Sequence, residues 1–111
     1  MISSKNIYIA VQNTSRHALW IGDKNDGWVF IGDGVSFDSD KAQLAIDSFF
    51  DGESRVLLSI NRHQGFEIST HHAGWELRKY IHSDAWLVNA AFKKIMAFSS
   101  TGVYRCGRID R

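Results

Sequence analysis

Residues 55–70 read RVLLSINRHQGFEIST, two apolar, β-rich runs joined by a polar turn, and the rest of the chain has to fit around them. RVLLSIN and GFEIST are each the length of a strand, and RHQ with Gly65 supplies turn chemistry between them. The stretch therefore predicts an antiparallel hairpin. Working outward toward the N-terminus, Ile7, Ile9 and Val11 alternate with Tyr8, Ala10 and Gln12, which predicts a half-buried strand over residues 5–12 and a turn at Asn13 to Arg16. HALWIG (17–22) and GWVFIG (27–32) flank DKND and predict a further hairpin.

Asp40 stands three residues before Gln43, with Leu44, Ala45, Ser48 and Phe49 at helical intervals and Gly52 beyond them, so a helix is expected over 40–51. Residues 71–82 fit helix or strand. Ser83 or Asp84 can cap a second helix whose stripe is Val88, Ala91, Phe92, Ile95 and Met96, ended by Gly102, and VYRCGRI (103–109) reads as a last strand. Strands that come in consecutive pairs place the chain in the α+β class. The expectation is a single globular domain over residues 1–111, with a mostly antiparallel sheet of about six strands and two helices.

The composition agrees. With 111 residues, 44% hydrophobic and 23% charged, the chain suits one hydrophobic core and lies outside the disordered class. Cys106 is the only cysteine, so no internal disulfide can form. The first twenty residues lack the apolar core of a secretory signal, and no run approaches the eighteen or so apolar residues of a membrane span. A cytoplasmic protein is expected.

The most chemically suggestive stretch is RHQGFEISTHHAGWE (62–76), which holds His63, His71, His72, Glu67 and Glu76. His63 with Glu67 could form the acid/base pair of a small metal-independent ribonuclease. His72 with Glu76, joined by His63 or Glu67, could ligate zinc. Each residue also has a plainer role: His63 in a turn, Glu67 on the solvent face of a strand, and His71 and His72 in a connection. DKNDG at 23–27 lacks the later ligands of a calcium loop, and GDG at 32–34 lacks the remainder of a phosphate-binding fingerprint. Cys106, between Arg105 and Arg108, reads as a small buried residue and not as a nucleophile. No catalytic set, metal or cofactor is expected.

Charge is distributed unevenly. Residues 21–53 carry eight carboxylates against Lys24 and Lys41, a net of −6, whereas residues 54–111 carry nine Lys and Arg against four carboxylates, a net of +5. The acidic third also contains Trp28, Phe30 and Phe37, and Trp20 directly precedes it. Carboxylates interleaved with aromatics suit a protein interface that attracts a basic partner. The partner-binding residues expected on this basis are Asp23, Asp26, Trp28, Asp33, Phe37, Asp38, Asp40 and Asp47.

In its length, its α+β pattern and its acidic segment WIGDKNDGWVFIGDGVSFDSD (20–40), the chain resembles the small immunity proteins of bacterial contact-dependent growth inhibition systems. The resemblance implies a non-enzymatic inhibitor. Such a protein would form a one-to-one complex with a cognate toxin, often a basic nuclease, and cover its active site without touching membrane or nucleic acid. Two other readings stand beside it: a nucleic-acid-binding module using the basic C-terminal half, and the His63/Glu67 ribonuclease.

Overall fold

The computed structural model describes residues 3–21, 29–32, 37–80 and 82–109. In chain order the elements are α1 (Ser4–His17), β1 (Leu19–Trp20), β2 (Val29–Phe30), α2 (Ser39–Phe49), β3 (Arg55–Asn61), β4 (Gln64–Ser69), α3 (Ala73–Arg78), β5 (Ala85–Val88), β6 (Lys94–Phe98) and β7 (Val103–Arg108), with a 3-10 turn at Thr70–His72 before α3. The strands form one sheet ordered β1-β7-β6-β5-β3-β4, with β2 also on β7, and every pairing is antiparallel. The α+β class holds. Among the described residues, no helix is long and apolar enough to cross a membrane.

The hairpin at 55–70 forms as expected and occupies one end of the sheet. Asn61 makes its turn, because its Oδ1 accepts the backbone N–H groups of His63 and Gln64 at 2.8 and 3.0 Å. Five consecutive residues of β3, Val56 to Ile60, are buried. Alternate side chains of a strand point to opposite faces, so both faces of β3 must be covered. Val56, Leu58 and Ile60 meet Ala42, Ile46 and Phe49 of α2 and Leu77 of α3, while Leu57 meets Ile7 and Val11 of α1 together with Val88 and Ile95. Helices therefore lie on both sides of the sheet. Each fully buried side chain such as Leu58, Ile46 or Leu87 contributes roughly 1.5–3 kcal/mol.

Three sequence expectations are overturned. The strand expected at 5–12, with its turn at Asn13 to Arg16, is the helix α1. Ile7, Val11 and Thr14 are its buried residues, spaced i, i+4, i+7, whereas Ile9 is exposed, so the alternation was a by-product of a helical stripe. Ser3 caps α1, accepting Asn6 N–H at 3.2 Å, and Arg16 and His17 complement the dipole of its last turn.

The hairpin expected from 17–22 and 27–32 does not form. β1 and β2 both pair with β7, at Gly107–Arg108 and at Val103–Tyr104 respectively, so they lie end to end along one edge. The DKND turn lies outside the described residues.

The helix expected from Ser83 or Asp84 to Gly102 is the hairpin β5–β6. Asn89 organises its turn: buried itself, it accepts the N–H groups of Lys93 and Lys94 on Oδ1 at 2.8 and 3.1 Å and donates from Nδ2 to Glu53 at 3.0 Å. Phe92 takes a φ of 55° there, in the left-handed region. Gly102, with a φ of 92°, turns the chain from β6 into β7. Val88, Ile95 and Met96 satisfy helical spacing in sequence, but Val88 faces Ile95 across the two strands while Met96 faces Leu87 on the other side of the sheet.

Residues 71–82, open between helix and strand, provide the last residues of the 3-10 turn and α3. The helix expected at 40–51 runs from Ser39 to Phe49. Its cap is Asp38, whose carboxylate accepts Lys41 N–H at 2.9 Å.

The β1 edge depends on one close approach. A Cβ on Gly107 would meet Trp20 Cε3 at 2.8 Å and Ala18 Cβ at 3.1 Å, and the Arg105 guanidinium lies 4.0 Å from the Trp20 ring centroid. Gly107→Ala should therefore destabilise the fold by about 1–3 kcal/mol through overpacking, read from urea unfolding. An unchanged midpoint would mean that Trp20 does not lie across β7.

Candidate functional site

The acidic helix α2 and the short helix α3 meet through one side chain. Gln43 donates from Nε2 to Asp47 Oδ1 at 2.9 Å and to the Thr70 carbonyl at 2.8 Å, while its Oε1 accepts the Gly74 N–H at 2.8 Å. One amide thus binds α2, the 3-10 turn and α3 together, with both of its ends used. The approach needs Gly74, since a Cβ there would stand 2.9 Å from the Ser39 carbonyl oxygen and 3.0 Å from Gln43 Oε1.

That lock sets the next residue, Trp75, on the surface beside α2. Trp75 is 61% exposed, and Leu44 on α2 is 73% exposed. Phe37, Asp38, Ser39 and Asp40 line one open hollow with Trp75 and Arg78. Arg78 reaches toward the Trp75 ring, 5.9 Å from its centroid. Asp40, Leu44 and Asp47 follow at i, i+4 and i+7, one face of α2 over two turns. His71 joins the far end of that stripe, its Nδ1 being 3.6 Å from Asp47 Oδ1. The histidine-rich stretch and the acidic helix are therefore neighbours.

The expected binding residues divide accordingly. Phe37, Asp38 and Asp40 come together in the hollow, and Asp47 lies two turns along the helix. Asp23, Asp26, Trp28 and Asp33 lie outside the described residues. Two members of this face were missed. Trp75 belongs to a stretch that fits helix or strand, and Leu44 falls on the stripe expected to be apolar, whereas Ala42, Ile46 and Phe49 provide the buried face of α2.

The acid/base pair does not assemble. Glu67 is paired with Arg55, and His63 sits in the turn four positions away, roughly 13 Å at a strand's rise per residue. Glu76 is bridged by Lys79 at 3.2 Å. Among the described residues, no three His, Cys, Asp or Glu side chains are grouped closely enough to hold a metal ion.

The basic residues of the C-terminal half are largely engaged within the molecule. Beyond Arg55 and Lys79, Lys94 donates from Nζ to the Phe49 carbonyl at 3.0 Å, Arg105 lies over Trp20, and Arg108 is 5.8 Å from the Phe49 ring centroid. Cys106 on β7 is half-buried, and burial pushes its thiol up to about 11, against a smaller opposing pull from Arg108. At neutral pH it is a protonated thiol. Because the folded chain holds this proton to higher pH than the unfolded chain, the associated stability is fully present below about pH 8.5 and is lost as pH rises toward 11.

No protein-family model matches the chain, and comparisons with curated proteins and with solved structures find no similar protein.

Two measurements test this geometry. Ala for Gly in an exposed helix usually gains up to about 1 kcal/mol, but Gly74→Ala should lose stability, because the new Cβ forces α3 off α2. A gain in urea unfolding would refute the lock. Native Cys106 should react with iodoacetamide at pH 8 about a hundredfold more slowly than the urea-unfolded chain, and equal rates would contradict its burial.

Proposed function

We propose that this protein is a non-enzymatic inhibitor of the immunity-protein type. It binds a cognate bacterial toxin in the cytoplasm and neutralises it by covering its basic active site, that of a nuclease, in a one-to-one complex. The observation that carries this reading is the surface formed by α2 and α3, on which exposed Trp75 and Leu44 stand among Asp38, Asp40 and Asp47. Exposed tryptophans are the residue type most often found at the energetic centre of an interface, where burial of the indole supplies affinity. Carboxylates around it repel other acidic surfaces and draw in a basic one, raising the association rate.

The arrangement also favours rigidity. Gln43 fixes the two helices relative to each other, and Asp38 caps α2, so little ordering cost remains for binding. The inhibitor reading requires no catalytic group. A nucleic-acid-binding reading, in contrast, would draw on basic side chains that here pair with Glu67, Glu76, Phe49 and Trp20.

The test uses the toxin domain encoded by the reading frame beside this one. Co-expression should restore growth, and the purified pair should form a one-to-one complex. Trp75→Ala should weaken the complex by about thirtyfold or more, mainly through faster dissociation. Asp38→Lys with Asp40→Lys should slow association at low salt, with the difference shrinking as salt is added. No rescue and no complex with that domain would overturn the proposal.

A further inference from the structure

We propose that the outer face of α1 is a second and separate binding site, for a phosphorylated ligand of nucleotide size. An open hollow of about 660 Å³ lies along it, lined by Asn6, Tyr8, Ile9, Ala10, Gln12, Asn13 and Arg16 of the helix and by Arg62 from the β3–β4 turn. That size falls within the roughly 300–1,000 Å³ of small-molecule sites.

The lining chemistry defines the ligand. Arg16 and Arg62 form no ion pair with any described residue, unlike Arg55 and Lys79, which are matched with Glu67 and Glu76. Two guanidiniums on one surface, with no carboxylate among its described lining residues, suit one or two phosphate groups, which the planar fork engages through paired hydrogen bonds. Asn61 fixes the backbone of the turn that carries Arg62 by accepting the N–H groups of His63 and Gln64. The amides of Asn6, Gln12 and Asn13 both donate and accept, and Tyr8 offers a ring. These groups match the base and sugar of a nucleotide and have no use for a bare inorganic anion.

Electrostatics keep the two sites apart. α1 contains no Asp or Glu, and it packs on the face of the sheet opposite α2. The acidic stripe of Asp40 and Asp47 therefore lies across the core from the hollow. With only two arginines in the lining, the hollow suits a mononucleotide better than the extended backbone of a nucleic acid.

Calorimetric titration of the full chain with each of the four ribonucleoside monophosphates, with inorganic phosphate and with adenosine tests the assignment. At least one nucleotide should bind, with phosphate and adenosine each weaker by about tenfold or more. Arg16→Ala combined with Arg62→Ala should lower nucleotide affinity by about tenfold or more, while Asp40→Ala leaves it unchanged. Both arginines are exposed, so the double variant should keep the wild-type unfolding midpoint. Amide shifts of the wild-type chain on titration should map to α1 and the Asn61–Gln64 turn. No binding by any of the four at millimolar concentration, binding that survives the double variant, phosphate binding as tightly as the nucleotide, or shifts centred on α2 and α3 would each overturn it.

Discussion

The structure depends on a strand that is buried on both faces. β3 carries Val56, Leu58 and Ile60 toward α2 and α3, and Leu57 toward α1, so neither helical layer alone can keep it dry. Apolar surface of this kind stabilises only when it is removed from water, and β3 requires that on two sides at once. The described fold follows from it: among the described residues, one helix lies below the sheet, two lie above, and the remaining strands extend the sheet from β3.

The same arrangement sorts charge in space. The acidic segment of the sequence supplies α2 on one side, and α1, which has no carboxylate, lies on the other. A near-neutral chain thereby presents two faces of different character. The Gln43 amide, with three hydrogen bonds, then holds α3 against α2 and sets Trp75 beside the carboxylates. A half-buried amide with both of its ends bonded both stabilises and specifies, because any slippage of α3 would strand its donor and its acceptor.

Two apolar patterns in the chain are ambiguous for a common reason. Ile7, Ile9 and Val11 satisfy period two, yet Ile7, Val11 and Thr14 satisfy the helical period, and which residues are buried decides between them. Val88 with Ile95 and Met96 misled in the opposite direction. Val88 packs on Ile95, and Met96 on the opposite face beside Leu87, because Asn89 and the left-handed Phe92 fold the chain back between them, and no apolar pattern signals such a turn. Part of the acidic, aromatic site was legible, since Phe37, Asp38 and Asp40 do converge. Trp75 and Leu44 were not, because exposure of a large apolar side chain is a property of packing.

By itself the sequence determined the class of fold, the β3–β4 hairpin, the α2 segment and the concentration of carboxylates in one third of the chain, because these rest on local patterning and composition. Tertiary structure alone decided that α1 is a helix, that β1 and β2 share one edge of β7, and that Trp75 stands beside Asp40. Those outcomes depend on contacts between residues far apart in the chain, such as Gln43 with Gly74 and Trp20 with Gly107, whose energies exist only once the sheet has brought them together.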